Sequence, residues 1–200
     1  MPSPSFLDTL TWAQFEKKLA SLNKKEKGDY FERLTKYYFK IDPKLQSFYD
    51  EVWLLSELPT REREFLGIPS HDLGIDLIGK KGTEYHAIQC KYHTDKNSSV
   101  TFNEVSTFIS MLEGNSKLSK GFICSTAAST SKNLSKVINK TVYFILNDTW
   151  SKLDEVFFKK VKALELGKAF KPDKPLSPRP HQKKALKDAV KYFEREDAER

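Results

Sequence analysis

Two cysteines in 200 residues cannot build a disulfide framework, and Cys90 and Cys124 match no zinc-ligand spacing. They read as buried thiols in a reducing compartment. No apolar run approaches the ~20 residues that span a bilayer, and the amino terminus MPSPSFLDTLTW has no apolar signal core. A cytoplasmic protein is the expectation. Histidine is scarce, with four in the chain, and His71, His86 and His93 fit no closed tetrahedral zinc site. They are expected at the surface or behind a site.

What is present points to a packed domain. Hydrophobic residues make up 38% and aromatics 12%, with 14 Phe and 8 Tyr, which excludes a disordered chain. The length suits one domain with a short appendage, large enough to bury a core without staples. Basic residues outnumber acidic ones 34 to 27, a net charge of +7, which favours a polyanionic partner through counterion release. Scattered lysines serve solubility equally well. Lys80, Lys81, Lys96, Lys117 and Lys120 are candidates for a DNA track, with plain solvent exposure as the alternative.

Apolar spacing predicts helices over Thr11–Leu22 and Asp29–Phe39, the second closed by Asp42-Pro43. Glu51–Leu55 reads as a buried strand, followed by the charged connection TREREF. Strands are predicted over Ile75–Gly79 and Tyr85–Tyr92, joined by a Lys-Lys-Gly-Thr turn, with Ala87, Gln89 and Lys91 on one face and Ile88 and Cys90 on the other. An amphipathic helix over Phe102–Leu112 and a strand over Gly121–Ser125 follow. A helix over Ser131–Asn139, a strand over Val142–Leu146 and one long helix over Thr149–Leu164 complete the pattern. Helices before a hairpin, and strand–helix–strand after it, imply an α/β fold with a central mixed sheet of four to five strands.

The stretch HDLGIDLIGKKGTEYHAIQCKYH, His71 to His93, carries the chemistry. Phosphodiester hydrolysis uses a divalent cation to polarise phosphoryl oxygens and activate water, and hard cations take oxygen ligands. An acid on one strand, Asp76, and an oxygen donor two residues before a lysine on its hairpin partner, Gln89 and Lys91, supply such a set. The backbone carbonyl of Cys90 is a further donor, and Lys91 is placed to orient the nucleophile or neutralise developing charge. The bland reading is an exposed cross-strand pair of Asp76 and Lys91. Asp72 also precedes the hairpin, but Asp76 lies within the apolar strand pattern. As a metal ligand surrounded by like charge, Asp76 is expected to tolerate alanine in stability terms.

Gly-Ile-Asp76, thirteen residues before Gln89-Cys-Lys91, preceded by a helix bearing Phe31-Glu32, resembles the Mrr-type restriction endonucleases of the PD-(D/E)xK fold. The resemblance spans Gly28 to Leu146. It implies a restriction-endonuclease-like domain hydrolysing DNA with Mg²⁺, for which Mn²⁺ can substitute, and it adds Glu32 to the metal ligands Asp76, Gln89 and the Cys90 carbonyl. GFICSTAAST resembles the family's next strand, where a serine or threonine pair closes the core near the site. One departure stands: glutamine occupies position 89, where the general pattern has a second acid. That departure sustains an alternative, a catalytically inactive module of the same fold that docks DNA or a protein, and an RNase on this fold is a third reading.

Gly74 to Lys80 spells G-x-x-x-x-G-K, but Lys81 follows instead of Ser or Thr and the middle is strand, so no phosphate-binding loop is expected. Lys171 to Pro180 carries four prolines in ten residues, a linker composition. Beyond it, Arg179-Pro-His-Gln182 and the helical pattern from Ala185 to Phe193 resemble the glutamine motif that opens superfamily 2 motors, where Gln182 would contact the adenine of ATP. The expected organisation is a nuclease domain over 1–166, a linker over 167–180 and a truncated motor start over 181–200. That layout resembles Type ISP restriction–modification enzymes. It implies double-stranded DNA as partner, with downstream helicase, methyltransferase and target-recognition parts in the same polypeptide and transient dimerisation for double-strand cleavage.

Overall fold

The computed structural model describes residues 5–69, 74–132, 134, 140–168 and 180–198. Its elements begin where side chains cap them. The Thr11 hydroxyl accepts from the Gln14 amide and opens α1 (Trp12–Ala20), which buries Trp12, Phe15 and Leu19. Asn23 and Glu26 form a reciprocal capping box at the start of α2 (Lys24–Ile41). The Asp42 carboxylate then accepts from the Lys44 and Leu45 amides, and Pro43 supplies the first residue of α3 (Pro43–Phe48).

Strand β1 (Glu51–Leu54) runs through a 3-10 turn, Leu55–Glu57, into α4 (Thr60–Leu66). The hairpin follows as β2 (Leu77–Lys81) and β3 (Glu84–Lys91), turned at Gly82-Thr83, where Gly82 takes a φ of 57° that L side chains resist. After them come β4 (Ser99–Val100), α5 (Phe102–Gly114), β5 (Leu118–Ser125), β6 (Ser129–Thr130) and β7 (Val142–Ile145). Helices α6 (Asn147–Trp150) and α7 (Glu155–Glu165) close the first unit, and α8 (Pro180–Ala198) lies in the second.

The main sheet has the order β1-β2-β3-β5-β7, antiparallel across β1, β2 and β3 and parallel from β3 through β5 to β7. It is the expected mixed five-stranded sheet flanked by helices. A two-stranded parallel sheet of β4 and β6, which the apolar pattern did not announce, stands beside it. Alternation along the strands feeds two cores. Leu77, Ile88, Cys90, Phe122 and Cys124 join α1, α2 and α7 on one face, whereas Ile78, Ala87 and Ile123 join α4 and α5 on the other. Strand β3 is therefore buried on both faces along most of its length, as a central strand between helical layers must be.

Several expectations need correction. The charged connection at Thr60 is helix α4, because the run TREREFL is made mostly of good helix formers, with Arg61 and Glu64 exposed while Glu62 pairs with Lys80 and Arg63 bonds the Leu55 and Pro69 carbonyls. The single helix expected over Thr149–Leu164 is broken between α6 and α7, where the Asp154 carboxylate accepts from the Phe157 amide at 2.9 Å and starts a new helix. Strand β2 starts at Leu77, so Asp76 lies one residue ahead of it. Of the helix expected over Ser131–Asn139, residues 133 and 135–139 lie outside the described residues, as do His71, Asp72 and Arg179.

The chain divides into two compact units, residues 1–170 and 171–200. Within the second, α8 begins at Pro180, ahead of Ala185, and leaves Leu186 and Val190 exposed. Among the described residues, no helix is long and apolar enough to cross a membrane.

Candidate active site

Asp76 owes its position to two neighbouring segments. Its amide donates to the Ile88 carbonyl at 2.9 Å and its carbonyl accepts from the Leu55 amide at 2.7 Å, which extends the strand pairing beyond β2. Its side chain turns to β3, where Oδ2 accepts from the Cys90 amide at 2.6 Å. Asp76 is thus part of the fold as well as the site. Alanine here strips a half-buried N–H of its partner, contrary to the expectation that the fold would not feel the change.

Gln89 and Lys91 share one face of β3. Gln89 is only 2% exposed, and its Oε1 is sequestered from solvent with no hydrogen-bond partner among the described residues. Gly74, at a φ of 77°, packs against it: a Cβ at position 74 would stand 2.9 Å from the Phe108 backbone nitrogen and 3.3 Å from Gln89 Nε2. Lys91 is half-buried and, among the described residues, forms no ion pair, so the bland cross-strand pair with Asp76 is not realised. The serine–threonine pair at the end of β5 fastens the strand end that carries it. Ser125 Oγ donates to the Lys91 carbonyl at 2.9 Å, and Thr126 Oγ1 exchanges hydrogen bonds with the His93 backbone at 2.7 and 2.9 Å.

Two clefts meet at Asp76. One, of about 330 Å³, is lined by Asp29, Glu32, Leu54, Leu55, Ser56 and Asp76. The other, of about 220 Å³, is lined by Gly74, Asp76, Gln89, Lys91, Glu104 and Thr107. Of the sequence-predicted side chains, Gln89 and Lys91 therefore share one cleft with Asp76 and Glu32 shares the other. The Cys90 thiol lies on the α2 side of β3. Burial, then the charge of Cys124, Asp76 and Glu32, pushes it far up, so it is an inert thiol.

Sequence reading missed Asp29 and Glu104. Asp29 sits one helical turn before Glu32, on the same face of α2. Glu104 is tied down by the Thr101 amide and hydroxyl, each 2.8 Å from Oε2, and by His93 Nε2, 3.2 Å from Oε1. Burial pushes its carboxyl up, but the Thr101 hydrogen bonds and the charges of His93 and Lys91 outweigh that and hold it below the usual range. The spacing Thr101-x-x-Glu104 ahead of an apolar helix was the available signal.

His93, bonded to Glu104 and at 2.8 Å to Ser98 Oγ, stands behind the site. His86 does neither of the things expected of it: it is fully buried at the opposite end of the sheet, with Nδ1 2.7 Å from the Tyr49 hydroxyl. The lysines do not form one track through the site. Lys80, Lys81, Lys117 and Lys120 all fall at the hairpin end, Lys80 paired with Glu62, while Lys96 stays at the site end, bonded to Glu16 and the His93 carbonyl.

Among the described residues, no three His, Cys, Asp or Glu side chains cluster as a metal centre. The side-chain donors that line the two clefts around Asp76 are oxygens: the Glu32 and Asp76 carboxylates in one, and Asp76 with the Gln89 amide oxygen in the other. This set fits a hard cation held weakly and lacks the nitrogen and sulfur of a zinc site.

The family model described as "Restriction endonuclease", Mrr_cat_2, matches residues 40–158, more than half of the chain. That span includes Asp76, Gln89 and Lys91 and stops short of Glu32. No curated protein sequence matches the chain. Among solved structures, the ATP-dependent Type ISP restriction-modification enzyme LlaBIII bound to DNA is 26% identical, with a TM-score of 0.57, over 92% of this chain and 11% of that one. The MspJI restriction endonuclease in complex with a 27-mer oligonucleotide is 16% identical, with a TM-score of 0.48, over 84% of this chain and 37% of that one. This chain therefore spans about a ninth of the length of LlaBIII. With its mixed sheet and with Asp76, Gln89 and Lys91 inside the matched span, the chain belongs to the Mrr_cat_2 restriction endonuclease family.

Proposed function

We propose that the chain hydrolyses DNA phosphodiester bonds with Mg²⁺ as cofactor, at a site built from Asp76, Gln89, Lys91 and Glu32. The observation that carries this reading is the sharing of one cleft by Asp76, Gln89 and Lys91, with a second cleft joining Asp76 to Glu32. Asp76, Glu32, Gln89 Oε1 and the Cys90 carbonyl would hold the cation. When bound, it supplies Lewis acidity to the phosphoryl oxygens and to the attacking water.

The chain's own residues do the rest. Asp76, fixed by the Cys90 amide, keeps its carboxylate aimed between the two clefts. Lys91, which makes no ion pair among the described residues, offers its ammonium to the phosphate under attack, where negative charge builds as the water oxygen bonds to phosphorus. Gln89 contributes an oxygen without contributing charge, so Asp76 and Glu32 carry most of the neutralisation.

The partial span of LlaBIII supports a further part of the reading: this is the nuclease module of a longer, ATP-driven restriction–modification polypeptide. In that polypeptide α8 would open the motor, Gln182 would contact adenine, and methyltransferase and target-recognition parts would follow. Double-stranded DNA is the partner, with transient dimerisation to cut both strands. A second reading is favoured by Gln89 and by the absence of a three-residue acidic cluster among the described residues: a module that docks DNA and cuts nothing. Supercoiled plasmid incubated with the chain and Mg²⁺, beside Asp76→Asn, tests both. Nicking that Asp76→Asn removes supports the nuclease, and binding without nicking supports the docking module.

A further inference from the structure

The end of the sheet remote from Asp76 holds a cleft that this nuclease chemistry leaves unused. Lys44, Phe48, His86, Lys120, Phe122 and Tyr143 line a space of about 430 Å³ beside the edge strand β7. His86 precedes Lys91 by five residues along β3, which places the two about 16 Å apart.

Its walls are aromatic and its rim is cationic. Phe122 and Tyr143 stack at 5.1 Å and 30°, and Phe48 lies at 28° to the His86 ring with centroids 5.7 Å apart. Tyr143 is 46% exposed, so its ring is open to a ligand. Lys44 and Lys120 line the cleft, and Lys81 Nζ stands 3.8 Å from the Phe48 ring centroid. Among the described residues none of these three lysines makes an ion pair, and the acid nearest His86 is Glu84, so the rim keeps net positive charge.

The floor supplies an independent sign of a ligand. His86 is fully buried, and while Nδ1 is engaged by the Tyr49 hydroxyl, Nε2 is sequestered without a hydrogen-bond partner among the described residues. Glu84 Oε2 stands 3.6 Å from Nε2, within ion-pair range but longer than a hydrogen bond. Burial first, and then the charge of Lys120, lowers the pKa of this imidazole, so the ring is neutral and presents a polar edge rather than a cation. Buried polar atoms without partners are rare in folded proteins and call for an explanation.

We propose that this cleft binds an unpaired nucleotide, its base against the exposed ring of Tyr143, which Phe122 backs from the core, its phosphate between Lys44 and Lys120, and His86 Nε2 meeting a polar edge. Aromatic faces accept bases without regard to sequence, and lysines accept phosphates without regard to sugar. In a duplex the base faces are covered by their neighbours, so the cleft selects unpaired nucleotides. A single-stranded segment and a free mononucleotide share that chemistry.

The test uses the chain in EDTA, so that no strand is cut, with fluorescein-labelled oligothymidylate as probe and dTMP and duplex as comparisons. Lys44→Glu combined with Lys120→Glu should weaken oligothymidylate binding at least about tenfold and flatten its salt dependence. Tyr143→Ala should weaken it by about fivefold or more, while duplex binding stays within about twofold for both variants. Displacement of the probe by dTMP assigns the cleft to the nucleotide unit itself. Binding that dTMP does not displace, but that the variants weaken, assigns it to a single strand. No binding of either probe, or variants with native circular dichroism that bind as the wild type does, would overturn the proposal. Equal weakening of duplex and single strand would also overturn it, as a general charge effect. These substitutions lie at the far end of the sheet, so their failure leaves the Asp76 site untouched.

Discussion

The Cys90 amide donates to Asp76 Oδ2 at 2.6 Å, so the carboxylate at the centre of the site also closes the hydrogen bonding between the hairpin strands. Asp76→Ala should cost about 1–3 kcal/mol, the penalty for a buried donor left alone. Asp76→Asn keeps an acceptor in the same place, so its urea midpoint should stay near that of the wild type. Both should lose Mn²⁺ binding. Equal stability of the alanine and wild-type proteins would remove the structural role given to this bond.

Gln89→Glu restores the acid of the general pattern at a position only 2% exposed. Without metal, a carboxylate there is buried and unpaired, so thermal stability at neutral pH should fall by about 1–3 kcal/mol. Added Mn²⁺ should recover more stability in Gln89→Glu than in the wild type, because the new charge meets its counter-ion. A melting temperature that ignores Mn²⁺ in both proteins would argue that Gln89 is not a metal ligand.

Gly74 packs where a side chain cannot. Gly74→Ala combines a φ of 77° with a Cβ 2.9 Å from the Phe108 backbone nitrogen, so the loop must move and take the neighbouring Gln89 side chain with it. Stability should fall by about 1–2 kcal/mol. Cleavage should fall further than a stability loss alone explains, read as a lower rate at a temperature where the variant remains folded.

Glu104 gives the site a pH signature. Its carboxyl is held below the usual range despite burial, by Thr101 and by the charges of His93 and Lys91, so its folded pKa is depressed. A depressed pKa contributes stability that is present above the unfolded value, about 4.3, and is lost as pH falls through the folded value. The wild type should therefore lose its advantage over Glu104→Gln between about pH 4.3 and the acid limit of folding. Urea midpoints measured at pH 7 and pH 3.5 would show it, and a gap that stays constant would contradict it.

Much of the fold was legible because periodicity survived burial. The 88/90 and 87/89/91 alternation along β3 correctly divided its side chains between two faces, and the Phe31–Tyr38 spacing marked the buried side of α2. What escaped was set by caps rather than by apolar spacing. Asp42 with Pro43 starts a helix that hydrophobic pattern overlooked, Asp154 starts one that it merged with its predecessor, and Asn23 with Glu26 start α2 at Lys24, ahead of the Asp29 that the pattern gave. In the site, Asp76, Gln89 and Lys91 were legible as a hairpin motif, and Glu32 through resemblance. Glu104 was not, because it comes from α5, a separate element whose approach to β3 no local pattern encodes. His86 was misjudged for a related reason: its burial depends on Tyr49 and Phe48, nearly forty residues upstream, folding over the sheet.

The central claim is that Asp76 and Lys91 act in catalysis rather than merely in folding. Its most direct test is the rate of plasmid cleavage in Mg²⁺ by the parent enzyme carrying Asp76→Asn or Lys91→Ala, each first shown to melt as the wild type does. A lost transition-state contact of about 3–4 kcal/mol lowers the rate by a factor of hundreds or more, and both variants should show that loss while still binding DNA. Undiminished cleavage by either folded variant would contradict the assignment of this site.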